Sequence, residues 1–235
     1  KVAESVVAGS TVRIVGVAKG VGMIEPNMAT LITMMFTDAA IEKSALDKVF
    51  RRVIDKTFNC VSVDSDTSTS DTAVILASGV AGAVDLAKFE DALYQVALSL
   101  TKQVARDGEG AEKLIEVCVD SARDHRQAKL VAKAIVNSPL VKTAVHGADP
   151  NWGRIAMAVG KCSDERDIDE KRVVIRFGTQ EVYPTSVDES GLDALSKYMR
   201  SDTVRIHVTL NTGTAECTVW GCDLTDGYIR INADY

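Results

Sequence analysis

Gly22-Met23-Ile24-Glu25-Pro26-Asn27-Met28-Ala29-Thr30-Leu31 sets a threonine directly after a small residue, at the end of a loop marked by Gly and Pro and ahead of an apolar run. A threonine hydroxyl is a poor nucleophile until a base takes its proton. One solution is cleavage of the chain just before the threonine, so that its own freed α-amine becomes that base. Such an amine has an unperturbed pKa of roughly 7.7–8.0, near working pH, which suits a general base. An ordinary turn leading into a β-branched residue at the start of a strand fits the same letters. Upstream of the loop, Thr11 to Ala18 reads as a strand rich in β-branched residues (Val12, Ile14, Val15, Val17). The loop runs from Lys19 to Ala29, and beyond it Leu31 to Phe36 has the pattern of a strand buried on both faces.

Further out, helix and strand signals alternate. Ser44 is placed to cap a helix running to about Asn59, with Leu46, Val49, Phe50, Val53 and Ile54 on one face. Val74-Ile75-Leu76 reads as a buried strand closed by Ser78-Gly79. Asp85 opens a second helix carrying Phe89, Leu93, Val96, Ala97 and Leu100. Leu114 to Val119 reads as a strand, and a third helix is predicted from Arg126 to Asn137. Val141 to His146 reads as a strand, and Trp152 to Val159 as a helix capped by Asn151 and ended by Gly160. Strand-like segments follow at Val173–Phe177, Val204–Leu210, Glu216–Gly221 and Tyr228–Asn232, with one helix near Leu192–Tyr198. The charge-rich stretch Asp164 to Lys171 reads as a solvated turn. The class is mixed α/β, with layered sheets sandwiched between helices. There is no GxGxxG and no Walker motif to support a nucleotide-binding reading.

The 235 residues suffice for one large domain or two small ones. Hydrophobic residues make up 46% and charged residues 26%, the balance of an ordinary globular protein. A net charge of −6 and the lack of a Lys/Arg cluster argue against a nucleic-acid partner. No apolar run approaches the roughly 20 residues that span a bilayer, and no signal-peptide region opens the chain, so a cytoplasmic home is expected. Five cysteines without CxxC spacing point to reduced thiols rather than a zinc or disulfide framework, although Cys217 and Cys222 are close enough in sequence to face each other across a hairpin. His125, His146 and His207 are widely spaced and read as structural, and no metal is expected. The block Asp64-Ser65-Asp66-Thr67-Ser68-Thr69-Ser70-Asp71-Thr72 alternates acids and hydroxyls but lacks the glycine and final glutamate of an EF-hand. Its polar groups are expected to build and stiffen a site wall.

Four blocks together carry a resemblance. They are Lys19-Gly20 through Thr30; Asp64 to Thr72; Gly147-Ala148-Asp149-Pro150-Asn151-Trp152-Gly153-Arg154-Ile155; and Trp220-Gly221-Cys222-Asp223-Leu224 running to Ile231-Asn232-Ala233-Asp234-Tyr235. In content and order they resemble the ornithine acetyltransferase family of arginine biosynthesis, over essentially the whole chain. The resemblance implies a self-processing fold in which Thr30 attacks the peptide bond before it and later accepts an acetyl group, with the scissile bond at Ala29–Thr30. Family members carry a long segment upstream, and only 29 residues precede Thr30 here. Residues 1–29 are therefore expected to close an α chain and residues 30–235 to form a β chain.

The resemblance further implies substrate contacts from Lys19, Thr30, Glu109 and Asn232. An ammonium such as that of Lys19 suits an α-carboxylate. Glu109, in Asp107-Gly108-Glu109-Gly110-Ala111, has glycines on both sides that allow close backbone approach, and by the family pattern it meets the substrate's amino group. Locally the same letters fit a helix C-cap turn. Glu112 stands where the family usually has a hydroxyl residue. The implied substrates are N-acetylornithine and glutamate, without a cofactor, although some members also use acetyl-CoA as donor. The oxyanion hole is implied to come from an upstream Thr-Gly pair, and the implied assembly is an α2β2 heterotetramer or higher. Related enzymes of β-lactam biosynthetic clusters and self-processing aminopeptidases share this type of nucleophile.

Overall fold

The computed structural model describes residues 1–20, 22, 24–25, 31–66 and 72–233, arranged as two compact units, 1–105 and 106–235. The first unit contains a four-stranded sheet in the order β1 (Val2–Val6), β2 (Arg13–Lys19), β3 (Ile32–Ala40) and β4 (Thr72–Ala83). β1, β2 and β3 pair antiparallel, and β3 pairs parallel with β4. Helices α1 (Lys43–Lys56) and α2 (Leu86–Arg106) accompany the sheet, with a short 3-10 turn at Phe58–Cys60. The apolar stripe of α1 is buried as the heptad-like spacing requires, through Leu46, Val49, Phe50, Val53 and Ile54.

The β2–β3 register explains which sheet face those helices cover. Ile14, Gly16 and Ala18 alternate inward on β2, with Thr33, Met35 and Thr37 beside them on β3. A Cβ on Gly16 would lie 2.7 Å from Leu100 Cδ1 and 2.8 Å from Val96 Cγ1, so α2 rests directly on that glycine's backbone. The opposite face is open. Val2 on β1, Ile32, Met34 and Phe36 on β3 and Leu76 on β4 are all exposed, and the register places them on one surface. The run Leu31–Phe36 is thus not buried on both faces, and Val74–Leu76 is not a buried strand. Both belong to a sheet covered on one side, and β4 is only partly buried.

The second unit contains a five-stranded mixed sheet in the order β7 (Gln180–Tyr183), β6 (Val174–Phe177), β8 (Thr203–Thr209), β5 (Leu114–Ala122) and β9 (Ala215–Cys222). Five helices accompany it among the described residues: α3 (His125–Val136), α4 (Pro139–His146), α5 (Trp152–Gly160), α6 (Glu189–Tyr198) and α7 (Asp226–Ala233). α3 buries Ala128, Val131, Ala132, Ile135 and Val136 and packs across β5 and β9. Layered sheets with helices are the class expected from the sequence.

Several elements differ from their sequence-based expectations. Val141–His146 is helical rather than extended. The Ser138 hydroxyl caps it by accepting from Val141 N, Pro139 sits in its first turn, and Val141, Ala144 and Val145 are buried at helical spacing. Tyr228–Asn232 is the body of α7, where Thr225 Oγ1 accepts from Gly227 N and Asp226 pairs with Arg230 one turn on. The cap of α1 is Glu42, whose carboxylate accepts from Ser44 N and Ala45 N, not Ser44 itself. Asn151 occupies the N-cap position of α5 but makes no capping hydrogen bond through its side chain. The stretch 164–171 is not merely a solvated turn, because Glu165 within it is buried. Cys217 and Cys222 lie five positions apart along the single strand β9, roughly 17 Å at strand rise, and so cannot face each other across a hairpin. No helix among the described residues is long and apolar enough to cross a membrane.

Candidate active site

In the first unit, two of the blocks that carry the resemblance are tied together. Ile24 is fully buried; its N–H donates to Asp64 Oδ1 at 2.9 Å and its carbonyl accepts from Val63 N at 2.6 Å. Glu25 N donates to the Asp66 carbonyl at 3.0 Å, and Ser62 Oγ donates to Glu25 Oε2 at 3.0 Å. Asp64 Oδ1 also accepts from Asp66 N at 3.3 Å, across Ser65 at φ 66°. Further along, Thr72 N donates to the Leu31 carbonyl at 2.9 Å. Ile24-Glu25 and the chain from Ser62 to Asp66 are therefore hydrogen-bonded to each other along their length, with Asp64 at the centre. Thr30 and Ala29, the expected nucleophile and scissile bond, lie outside the described residues, as do Thr67 to Asp71.

Lys19 ends β2, is exposed, and pairs in register with Ile32. That register puts it on the open face of the sheet. At the same corner, Lys1 Nζ donates to the Gly20 carbonyl and the Lys1 backbone nitrogen to the Ala18 carbonyl, each at 3.0 Å.

In the second unit, Glu109 and Asn232 come together. Asn232 Nδ2 donates to Glu109 Oε2 at 2.8 Å across 123 positions of sequence, and also to the Tyr228 carbonyl at 3.0 Å within α7. The glycine beside Glu109 makes this approach available. Gly110 has φ +68°, and a Cβ there would lie 2.4 Å from Tyr228 N and 2.5 Å from the Gly227 carbonyl carbon. Only glycine lets the turn after α2 sit against the start of α7. Thr225 Oγ1 locks the contact by donating to the Gly110 carbonyl at 2.6 Å.

The segment after Glu109 is fixed by Asp223, whose side chain is fully buried. Its Oδ1 accepts from Glu112 N at 2.8 Å and Lys113 N at 2.9 Å. Lys113 Nζ in turn donates to the carbonyls of Val145, His146 and Met199 at 2.8, 3.1 and 2.9 Å, which occupies its three donors. Asp223 and Thr225 were not singled out by sequence reasoning as support for Glu109. The first was visible only as part of the Trp220–Leu224 block, and nothing local marked the second. The Asp149–Arg154 block has an architectural place in this unit. Trp152 stacks on Tyr183 with ring centroids 4.9 Å apart, and Arg154 Nη1 donates to the Leu140 carbonyl at 2.7 Å, tying α5 to α4.

The sequence profile described as the ArgJ family matches residues 1–235. This chain belongs to the ArgJ family. It is 62% identical over 223 residues to "Arginine biosynthesis bifunctional protein ArgJ 2" of Nostoc sp., covering 95% of this chain and 58% of that protein. It is 57% identical over 234 residues to "Glutamate N-acetyltransferase Oat2" of Streptomyces clavuligerus, covering 97% of this chain and 59% of that protein. Among solved structures, the ArgJ bifunctional protein of Bacillus halodurans superposes with a TM-score of 0.78 at 41% identity, over 84% of this chain and 96% of that one. The chain spans under two thirds of the length of the curated ArgJ relatives it matches.

Proposed function

We propose that the protein of which this chain is part is a cytoplasmic acetyltransferase that moves the acetyl group of N-acetylornithine to glutamate. Thr30 Oγ attacks the acetyl carbonyl while the Thr30 α-amine takes the hydroxyl proton and delivers it to the departing nitrogen of ornithine. The C–N amide bond breaks as the Thr30 ester forms. Glutamate's amine then attacks that ester, the threonine oxygen recovers its proton, and N-acetylglutamate leaves. Lys19 pairs with a substrate carboxylate, and Glu109, oriented by Asn232, takes an amino group.

The observation that carries this reading is the Glu109–Asn232 pair. Two residues that the family pattern assigns to substrate meet at 2.8 Å, on a turn whose glycine admits no other residue. The α-amine is freed by cleavage at Ala29–Thr30, which leaves the α and β chains paired in an α2β2 or larger assembly. The exposed apolar face of the first sheet, bearing Val2, Met34, Phe36 and Leu76, supports a partner layer there. Acetyl-CoA, where it serves, enters as an alternative donor to the same threonine.

Intact mass measurement of the whole protein tests the processing step. The parent should give two fragments, one beginning at Thr30, and Thr30→Ala should remain in one piece. A parent that stays uncut yet transfers acetyl groups at the normal rate contradicts the proposed base.

A further inference from the structure

Three side chains that the proposed reaction does not use converge beside the turn carrying Glu109. His146 Nδ1 lies 3.3 Å from Asp223 Oδ2 and 3.6 Å from Glu112 Oε2, and one ligand atom from each residue falls within 4.8 Å of the others. We propose that Glu112, His146 and Asp223 form a binding site for one divalent cation of the zinc class, which fastens the Glu109 turn to the end of α4 and to the segment leaving β9.

The distances favour a tetrahedral ion. Zinc bonds to imidazole nitrogen and carboxylate oxygen are about 2.0–2.2 Å, and the edge of a tetrahedron with that radius is about 3.3–3.6 Å. Two edges of the site already have that length. The donor set, one imidazole and two carboxylates, matches a site with three protein ligands and a fourth position open to solvent. Two of the ligands are held in place. Asp223 has its other oxygen occupied by two backbone N–H groups, a support that fixes a ligating carboxylate's orientation. His146 ends α4, where the partial negative charge of the helix terminus favours a cation, and Lys113 grips its carbonyl. The nearby Lys113 ammonium is the natural objection, but all three of its donors point at the carbonyls of Val145, His146 and Met199. Glu112 is the exposed member, with its side chain 65% open to solvent. It can close on the ion without repacking the core.

The test uses whole, tag-free protein stripped with a chelator and titrated calorimetrically with zinc chloride. One zinc per chain should bind. Cobalt(II) in its place should give the visible absorption of a four-coordinate site. Glu112→Gln and His146→Gln alter partly exposed side chains and should leave the metal-free melting temperature unchanged. Each should weaken zinc binding at least tenfold and abolish the rise in melting temperature that zinc gives the parent, whereas Glu170→Gln should behave as the parent. Absence of saturable binding of one zinc per chain would overturn the proposal, and so would either variant binding zinc as tightly as the parent.

Discussion

Gly110 and Glu109 are neighbours with separable jobs. Gly110 lets two backbones touch, and its positive φ adds a second reason why a side chain is excluded. Gly110→Ala should destabilise the second unit by about 1–3 kcal/mol in chemical denaturation, because backbone atoms of Gly227 and Tyr228, not a flexible side chain, stand in the way. Unchanged stability would mean that α7 does not sit against this turn. Glu109→Gln keeps an oxygen for Asn232 to bond and removes only the charge. A lost charge-assisted hydrogen bond costs about 1.5–3 kcal/mol, so kcat/KM should fall between roughly tenfold and a hundredfold while the melting temperature holds. A variant with parental kinetics would remove Glu109 from the site. The glycines around Glu109 and their close-approach role were legible in the sequence. Asp223 and Thr225 were not, because a residue more than a hundred positions away acquires its role only when β9 returns beside β5.

At the scale of elements, the amphipathic helices were the legible part. The stripes of α1 and α2 alone predict which residues are buried, and Asp85 opens α2 by accepting from Lys88 N. The two short helices α4 and α7 were misread as strands. Val141 and Val145, or Tyr228, Ile229 and Ile231, are β-prone letters, and eight-residue helices are set by caps and packing rather than propensity. The stretch after α5 was misread for a related reason, since charged letters say nothing about long-range partners. Glu165 there is bound by Arg123 Nη2 and Arg126 Nη2, each at 2.6 Å, and by Gln127 Nε2 at 3.1 Å. The Arg123 hydrogen bond, helped by Gln127 and both guanidinium charges, holds the Glu165 carboxyl below its ordinary value of 4.5 despite desolvation. A depressed carboxyl stabilises the fold above the unfolded-state value and ceases to do so as pH falls through the folded one. Glu165→Gln should therefore lower the melting temperature at pH 7, and the gap from the parent should close below about pH 4. A gap constant from pH 7 to pH 3 would show that Glu165 contributes by packing alone.

At the scale of the whole molecule, each unit has one layered core, and the sheet of the first unit is finished on one face only. Gly16 admits α2 closely on the covered face, while Ile32, Met34, Phe36 and Leu76 face outward on the other, with Lys19 at its edge. The alternating burial of β3 could not be read from its letters, since a run apolar at nearly every position looks the same whether one face or two will be covered. An open apolar face of this kind fits burial in the proposed assembly. Hydrogen exchange on the assembled protein should then show the amides of β1 to β3 protected more strongly than those of the exposed α7. The central claim, that one threonine carries the acetyl group between substrates, is tested most directly by incubating the whole protein with N-acetylornithine alone, quenching in acid and mapping the acetylated peptide. The account predicts a single acetyl ester on the peptide that begins with Thr30, discharged on adding glutamate and missing in Thr30→Ala. An acetyl ester on any other side chain, or acetyl transfer undiminished in Thr30→Ala, would contradict it.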